Sequence, residues 1–168
     1  MNRMCSTDDE RLQTIERIEE MLHDLSPSKL VHLENVLKRE KEKFPYMHYI
    51  GKWLGISESE DCMIMELGPQ NDNTSGVAHG GALYSLADTA IGFAIRKQLP
   101  PDNAVFTLEM KMSFIKKGEG KKLIAKPTIL QFGNRIVYSE CTIFDDEGDT
   151  VAKANGSFYI TKKEWLKK

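Results

Sequence analysis

The chain has few cysteines, no long uninterrupted apolar run and no excess of either charge. Its cysteines, Cys5, Cys62 and Cys141, are three in number, far apart and never in CxxC spacing. That excludes a disulfide framework and a thiolate zinc site, and it fits a reducing cytoplasm. No metal and no separate cofactor are expected. The opening stretch MNRMCSTDDERLQ lacks the apolar core of a secretory signal, so none is expected. A bilayer-spanning helix needs about 20 predominantly apolar residues, and the longest apolar stretch is interrupted by an acid, so no membrane association is expected. Lys and Arg number 23 against 25 Asp and Glu, a formal net charge of −2. Nucleic-acid binders carry a basic excess, and none is present. Internal repeats and low-complexity segments are absent as well.

What is present divides at about residue 45. In residues 1–45, Thr7 followed by Glu10 is a capping-box pattern, and Leu12, Ile15, Ile18, Met21, Leu22 and Leu25 form one apolar helical face. Ser26 and Pro27 then supply an N-cap and a first-turn proline for a second helix that ends before Pro45, with Leu30, Leu33 and Leu37 on one side. This arm carries eight basic against ten acidic residues. It therefore offers no cationic face for phosphates, and packing against the main domain or a second subunit is expected instead.

Residues 46–168 read as a second unit. YIGKWLGISES and CMIMELG are two short strands, and PQNDNTSG is a loop. A helix follows from about Gly80 to Leu99, roughly 30 Å long at 1.5 Å per residue, and LPPDN ends it. AVFTLEMKMSFIK alternates Phe106, Leu108, Met110, Met112 and Phe114, which predicts that face in the core. LIAKPTILQF, IVYSECTIF and VAKANGSFYIT complete a four-strand antiparallel meander with turns at KGEGKK, GNR and DDEGD. The expected class is α+β: a curved antiparallel sheet wrapped around one long helix and burying it nearly all round, the hotdog arrangement, with a helical N-terminal extension. Gly81, Ala82, Ala87, Ala90, Gly92 and Ala94 let the strands approach that helix closely.

The helix GGALYSLADTAIGFAI contains one carboxylate, Asp88, whose helical neighbours Gly81, Tyr84, Ser85, Ile91 and Gly92 are all uncharged. An unpaired ionised carboxylate in such surroundings is costly, so Asp88 is either a solvent-facing acid on a partly exposed helix or a group kept for chemistry. The glycines after His79 expose backbone N–H groups at the positive end of the helix dipole, where a carbonyl oxygen is polarised and an oxyanion is held.

HGGALYSLADTA, with the acid nine residues after the histidine, resembles the signature of the PaaI-type acyl-CoA thioesterases of the hotdog superfamily. The likeness runs from about residue 47 to 161 and includes GDTVAKANGSF. The HFPGHP motif of hotdog dehydratases and the closely spaced Asp-then-His of the hydratases are absent. The resemblance implies hydrolysis of an acyl-CoA to a carboxylic acid and free CoA. It implies that the Gly80 N–H polarises the thioester carbonyl and that Asp88 of a neighbouring subunit acts as base or nucleophile. It further implies that the Asn73 amide helps bind the carbonyl, that Thr107 helps hold the water and that His79 orients the loop. Gly81, Lys116, Asn134 and Arg135 are the expected substrate contacts, the last of these the preferred partner of the CoA phosphates. The expected assembly is a homodimer as minimal unit within a homotetramer. The alternative is a non-catalytic acyl-CoA-binding regulator that uses the helical arm.

Overall fold

The computed structural model describes residues 8–41 and 47–164. The chain divides into two compact units, residues 1–41 and 42–168. The first contains α1 (Asp8–His23) and α2 (Pro27–Lys41). Ser26 and Pro27 start α2 as the sequence predicts: the Leu30 N–H donates to the Ser26 carbonyl at 3.0 Å. The cap expected at Thr7 and the stop expected at Pro45 lie outside the described residues. No residue of α1 is buried.

The second unit contains α3 (Tyr49–Leu54), β1 (Ile56–Ser59), β2 (Cys62–Glu66), α4 (Gly80–Gln98), β3 (Asn103–Phe114), β4 (Lys122–Phe132), β5 (Ile136–Phe144) and β6 (Thr150–Lys162). The strands form one antiparallel sheet in the order β1-β2-β4-β5-β6-β3. α4 packs on the sheet through Leu83, Leu86, Ile91 and Ile95, all fully buried. Opposite them stand Met65, Leu123, Val137, Ile143 and Phe158. Burying each such side chain contributes about 1.5–3 kcal/mol. This is the hotdog fold expected above.

Four details differ from the sequence reading. YIGKWL is not strand but α3, because His48 caps it, accepting the Gly51 N–H on Nδ1 at 3.1 Å, and Gly55 ends it at φ 77°. The last four strands are not a simple meander. Only β4-β5-β6 is one, and the KGEGKK segment carries the chain across so that β3 pairs with β6 at the sheet edge. The sheet does not bury α4 all round, either. Gly81, Ser85, Asp88, Gly92 and Arg96, spaced three or four residues apart, form a stripe that is at least partly exposed.

The fourth difference concerns β3. Its register against β6 shifts between Thr107 and Glu109, so Leu108 is a bulge. One extra residue inverts which side chains face the helix. Before it, Val105 and Thr107 lie opposite the buried Ile160 and Phe158; after it, Met110 and Met112 lie opposite Gly156 and Ala154. Met112 is buried, but Phe106, Leu108 and Phe114 are 44%, 56% and 54% exposed, contrary to the core face that alternation predicts. The bulge thus turns a polar side chain, Thr107, toward α4.

Candidate active site

His79 sets the start of α4. Its backbone is extended (φ −66°, ψ 137°) and its Nδ1 accepts the Gly81 N–H at 2.9 Å. Its carbonyl accepts the N–H groups of Ala82 and Leu83 at 2.9 and 3.2 Å. A helix opens with unsatisfied amides, and here three of the first four are used. The Gly80 N–H alone in this turn has no acceptor among the described residues. Gly81, expected to contact substrate, instead spends its N–H on the cap. A Cβ at Gly81 would lie 3.0 Å from His79 Nδ1, so the second glycine is what lets the ring close onto the helix end.

Asn73 lies in the loop before the helix. Its Oδ1 accepts the N–H groups of Ser75 and Val77 at 2.8 and 3.4 Å, the Asx-turn use of asparagine. Its Nδ2 has no partner among the described residues. Asn73 and Gly80 line one open cavity of about 360 Å³ together with Phe114, Lys116 and Lys117.

Asp88 lies two turns further along α4, about 12 Å from Gly80 along the axis at 1.5 Å per residue. It is half-buried, and Thr107 Oγ1 donates to its Oδ1 at 2.6 Å. The two line a second cavity, about 350 Å³, whose apolar wall includes Met47, Met63, Phe93, Val105 and Phe158. The two cavities share no lining residue. The structure therefore brings Asp88 together with Thr107, and Gly80 with Asn73, but does not bring the two pairs together in one chain.

His48 was missed at the sequence level. With Nδ1 occupied by the Gly51 N–H, the neutral ring carries its proton on Nε2, which donates to Thr89 Oγ1 at 3.2 Å on the wall of the Asp88 cavity. MHYIG and AHGG are the same device, a histidine cap closed onto a glycine amide, and the repetition was the available signal.

Of the residues expected to hold CoA, Lys116 is already engaged. Its Nζ donates to Asp145 Oδ2 at 2.9 Å and Asp149 Oδ2 at 2.6 Å, and these bonds raise its pKa above the usual lysine value. Its charge is thus compensated by the two carboxylates. Asn134 and Arg135 sit exposed in the β4–β5 turn and line neither cavity; the turn is held by the Ile160 N–H on the Arg135 carbonyl at 2.8 Å. Lys116 follows the Phe114 end of β3, whereas Arg135 adjoins Ile160, the partner of Val105. Nine residues at ~3.3 Å put these ends about 30 Å apart.

Asp145 is buried, and the hydrogen bond from Lys116 holds its carboxyl below the usual aspartate range, helped by the N–H groups of Asp149 and Glu147 and opposed by burial. A depressed carboxylate contributes stability that is present above its unfolded pKa and lost as pH falls through its folded one. Lys116→Met should therefore lower the Tm at neutral pH. The gap to wild type should narrow as pH falls below 3.8, the ordinary value. A pH-independent gap in thermal melts would contradict the pairing.

Cys62 and Cys141 are free thiols, and burial pushes Cys141 up to about 12. Among the described residues no group of three or more His, Cys, Asp or Glu is placed to hold a metal, and no helix is long and apolar enough to cross a membrane.

Comparison with known proteins bears on the family and the fold. Residues 75–152 match the family model of the thioesterase superfamily. A "Putative esterase" of Halobacterium salinarum is 31% identical over 97 residues, which cover 53% of this chain and 64% of that one. The chain spans 58–64% of the length of three such archaeal relatives. The BH2602 protein from Bacillus halodurans, solved with CoA, superposes with a TM-score of 0.80 at 26% identity, covering 88% of this chain and 99% of that one. The E. coli PaaI protein of the phenylacetic acid degradation operon shares the fold, with a TM-score of 0.61 at 24% identity over 75% of this chain and 93% of that one. The segment that holds His79, Gly80, Asp88 and Thr107 is thus similar to the thioesterase superfamily, and the chain shares the hotdog fold of these solved structures.

Proposed function

We propose that the protein hydrolyses acyl-CoA thioesters, with Asp88 as the base. The observation that carries this reading is the Thr107–Asp88 hydrogen bond on the wall of an apolar cavity. Thr107 occupies Oδ1 and leaves Oδ2 to take a proton from a water, the work of a general base. Attack forms the O–C bond, and the C–S bond then breaks. The acyl group leaves as a carboxylic acid, and the thiolate of CoA recovers a proton. Charge that develops on the carbonyl oxygen is met by the Gly80 N–H and the Asn73 Nδ2, which line one cavity.

Because Gly80 and Asp88 of one chain open into different cavities, the reaction needs a second copy to join them. β3 is the last strand of the sheet, and its edge exposes Phe106 and Leu108. A second copy placed there buries apolar surface, and the minimal unit is a symmetric dimer. The CoA bound to the BH2602 protein, the structure with the TM-score of 0.80, supports CoA as the thiol half of the substrate. The test is release of free thiol from a panel of acyl-CoAs. Release that scales with protein supports the reading, and none above the blank on any acyl group contradicts it.

A further inference from the structure

The cavity beside Asp88 does not end there. Asp88, Gly92 and Arg96 fall four residues apart on one stripe of α4, and all three line it. From Asp88 to Arg96 is about 12 Å along the axis. Arg96, whose guanidinium is fixed to the carbonyls of Asn103 and Pro101, lines the cavity at that end together with Glu58, which pairs with Lys97 at 3.3 Å. Between the ends the wall is apolar, formed by Met63, Phe93, Val105 and Phe158.

Gly92 lies midway. Glycine is among the least favoured residues inside a helix, and here no close approach requires it: a Cβ at Gly92 would meet no atom within 4 Å. The contrast with Gly80 and Gly81, where a Cβ would meet Phe114 at 3.1 Å and His79 at 3.0 Å, is direct. Neither packing nor a turn accounts for the missing side chain, and what it leaves is room in the cavity.

We infer that Gly92 sets the length of the acyl group, and that the cavity takes a medium-length apolar acyl chain running along α4 from Asp88 toward Arg96. The inference rests on the hydrolase reading for the position of the thioester. At ~1.3 Å per carbon of an extended chain, the span of about 12 Å holds roughly eight to ten carbons. The charged groups of Arg96 and Glu58 at that end offer nothing to a longer apolar tail. A side chain at position 92 halves the usable length, so short acyl groups fit and longer ones do not.

The experiment compares wild type, Gly92→Ala and Gly92→Leu on acetyl-CoA and octanoyl-CoA, with thermal melts to verify folding. The ratio of kcat/KM for octanoyl over acetyl is expected to fall at least 10-fold in Gly92→Leu, in the range that one or more methylenes command in an apolar pocket, and by less in Gly92→Ala. An unchanged ratio in both variants, or an equal loss on both substrates, would overturn the inference. Calorimetric binding of the non-hydrolysable thioethers S-ethyl-CoA and S-octyl-CoA separates it from the hydrolase reading. If wild type releases no thiol yet Gly92→Leu weakens the octyl compound at least 10-fold more than the ethyl one, hydrolysis fails and the length filter stands. Equal weakening of both thioethers sinks the filter.

Discussion

Asp88→Asn is expected to lower kcat for thioester hydrolysis by about 10²–10⁴-fold, the range that a positioned general base contributes, with little change in KM or in Tm. Asparagine keeps the shape of the side chain and an oxygen for the Thr107 hydroxyl, which now donates at 2.6 Å. What it removes is the ability to accept a proton. Stability should barely move, because Asp88 is half-buried and forms no ion pair among the described residues. A fall confined to kcat places Asp88 in the chemical step, since a lost ground-state contact would raise KM instead. Steady-state kinetics on the preferred acyl-CoA, beside a thermal melt, checks both halves. Full activity in a folded variant would remove Asp88 from the mechanism.

Gly80→Pro should cost about 10²–10³-fold in rate relative to Gly80→Ala, the typical worth of one oxyanion donor. The pair isolates a backbone N–H, which ordinary substitution cannot reach. Proline at the first helical position is tolerated, because the N–H it lacks forms no intrahelical bond. It also restricts the preceding residue to extended backbone, and His79 is already there at φ −66°, ψ 137°. Both variants place a Cβ 3.1 Å from the exposed Phe114 ring, so that contact cancels in the comparison. Equal rates for the two variants would mean that the Gly80 N–H does not face the reacting carbonyl.

The sequence shows α4 and the three strands β4, β5 and β6 clearly, because apolar periodicity and turn residues coincide there. It shows Asp88 for a related reason: a lone carboxylate breaks an otherwise apolar pattern. It conceals what depends on long-range register. The bulge at Leu108 is invisible in a strand that alternates cleanly from Phe106 to Phe114, yet that extra residue turns Thr107 toward the helix. The crossover that takes β3 to the far edge is set by pairing with β6, not by any local signal. α3 reads as strand because β-formers such as Tyr49, Ile50 and Trp53 outweigh the histidine cap in propensity, and the cap wins through its hydrogen bond to Gly51. With α3 misread, His48 could not be placed beside Thr89. Lys116 reads as a free turn cation because nothing local reveals the aspartates that reach it from 29 and 33 residues away.

The central claim is that one site takes Gly80 from one chain and Asp88 from the other. Mixing Asp88→Asn with Gly80→Pro tests it directly. A hybrid dimer holds one site with both groups intact and one with both removed. Co-expression of the two inactive chains, with hybrids forming statistically, should therefore restore about a quarter of wild-type thiol release. A mixture whose dimers exchange yet remain as inactive as the separate parents would contradict the shared site.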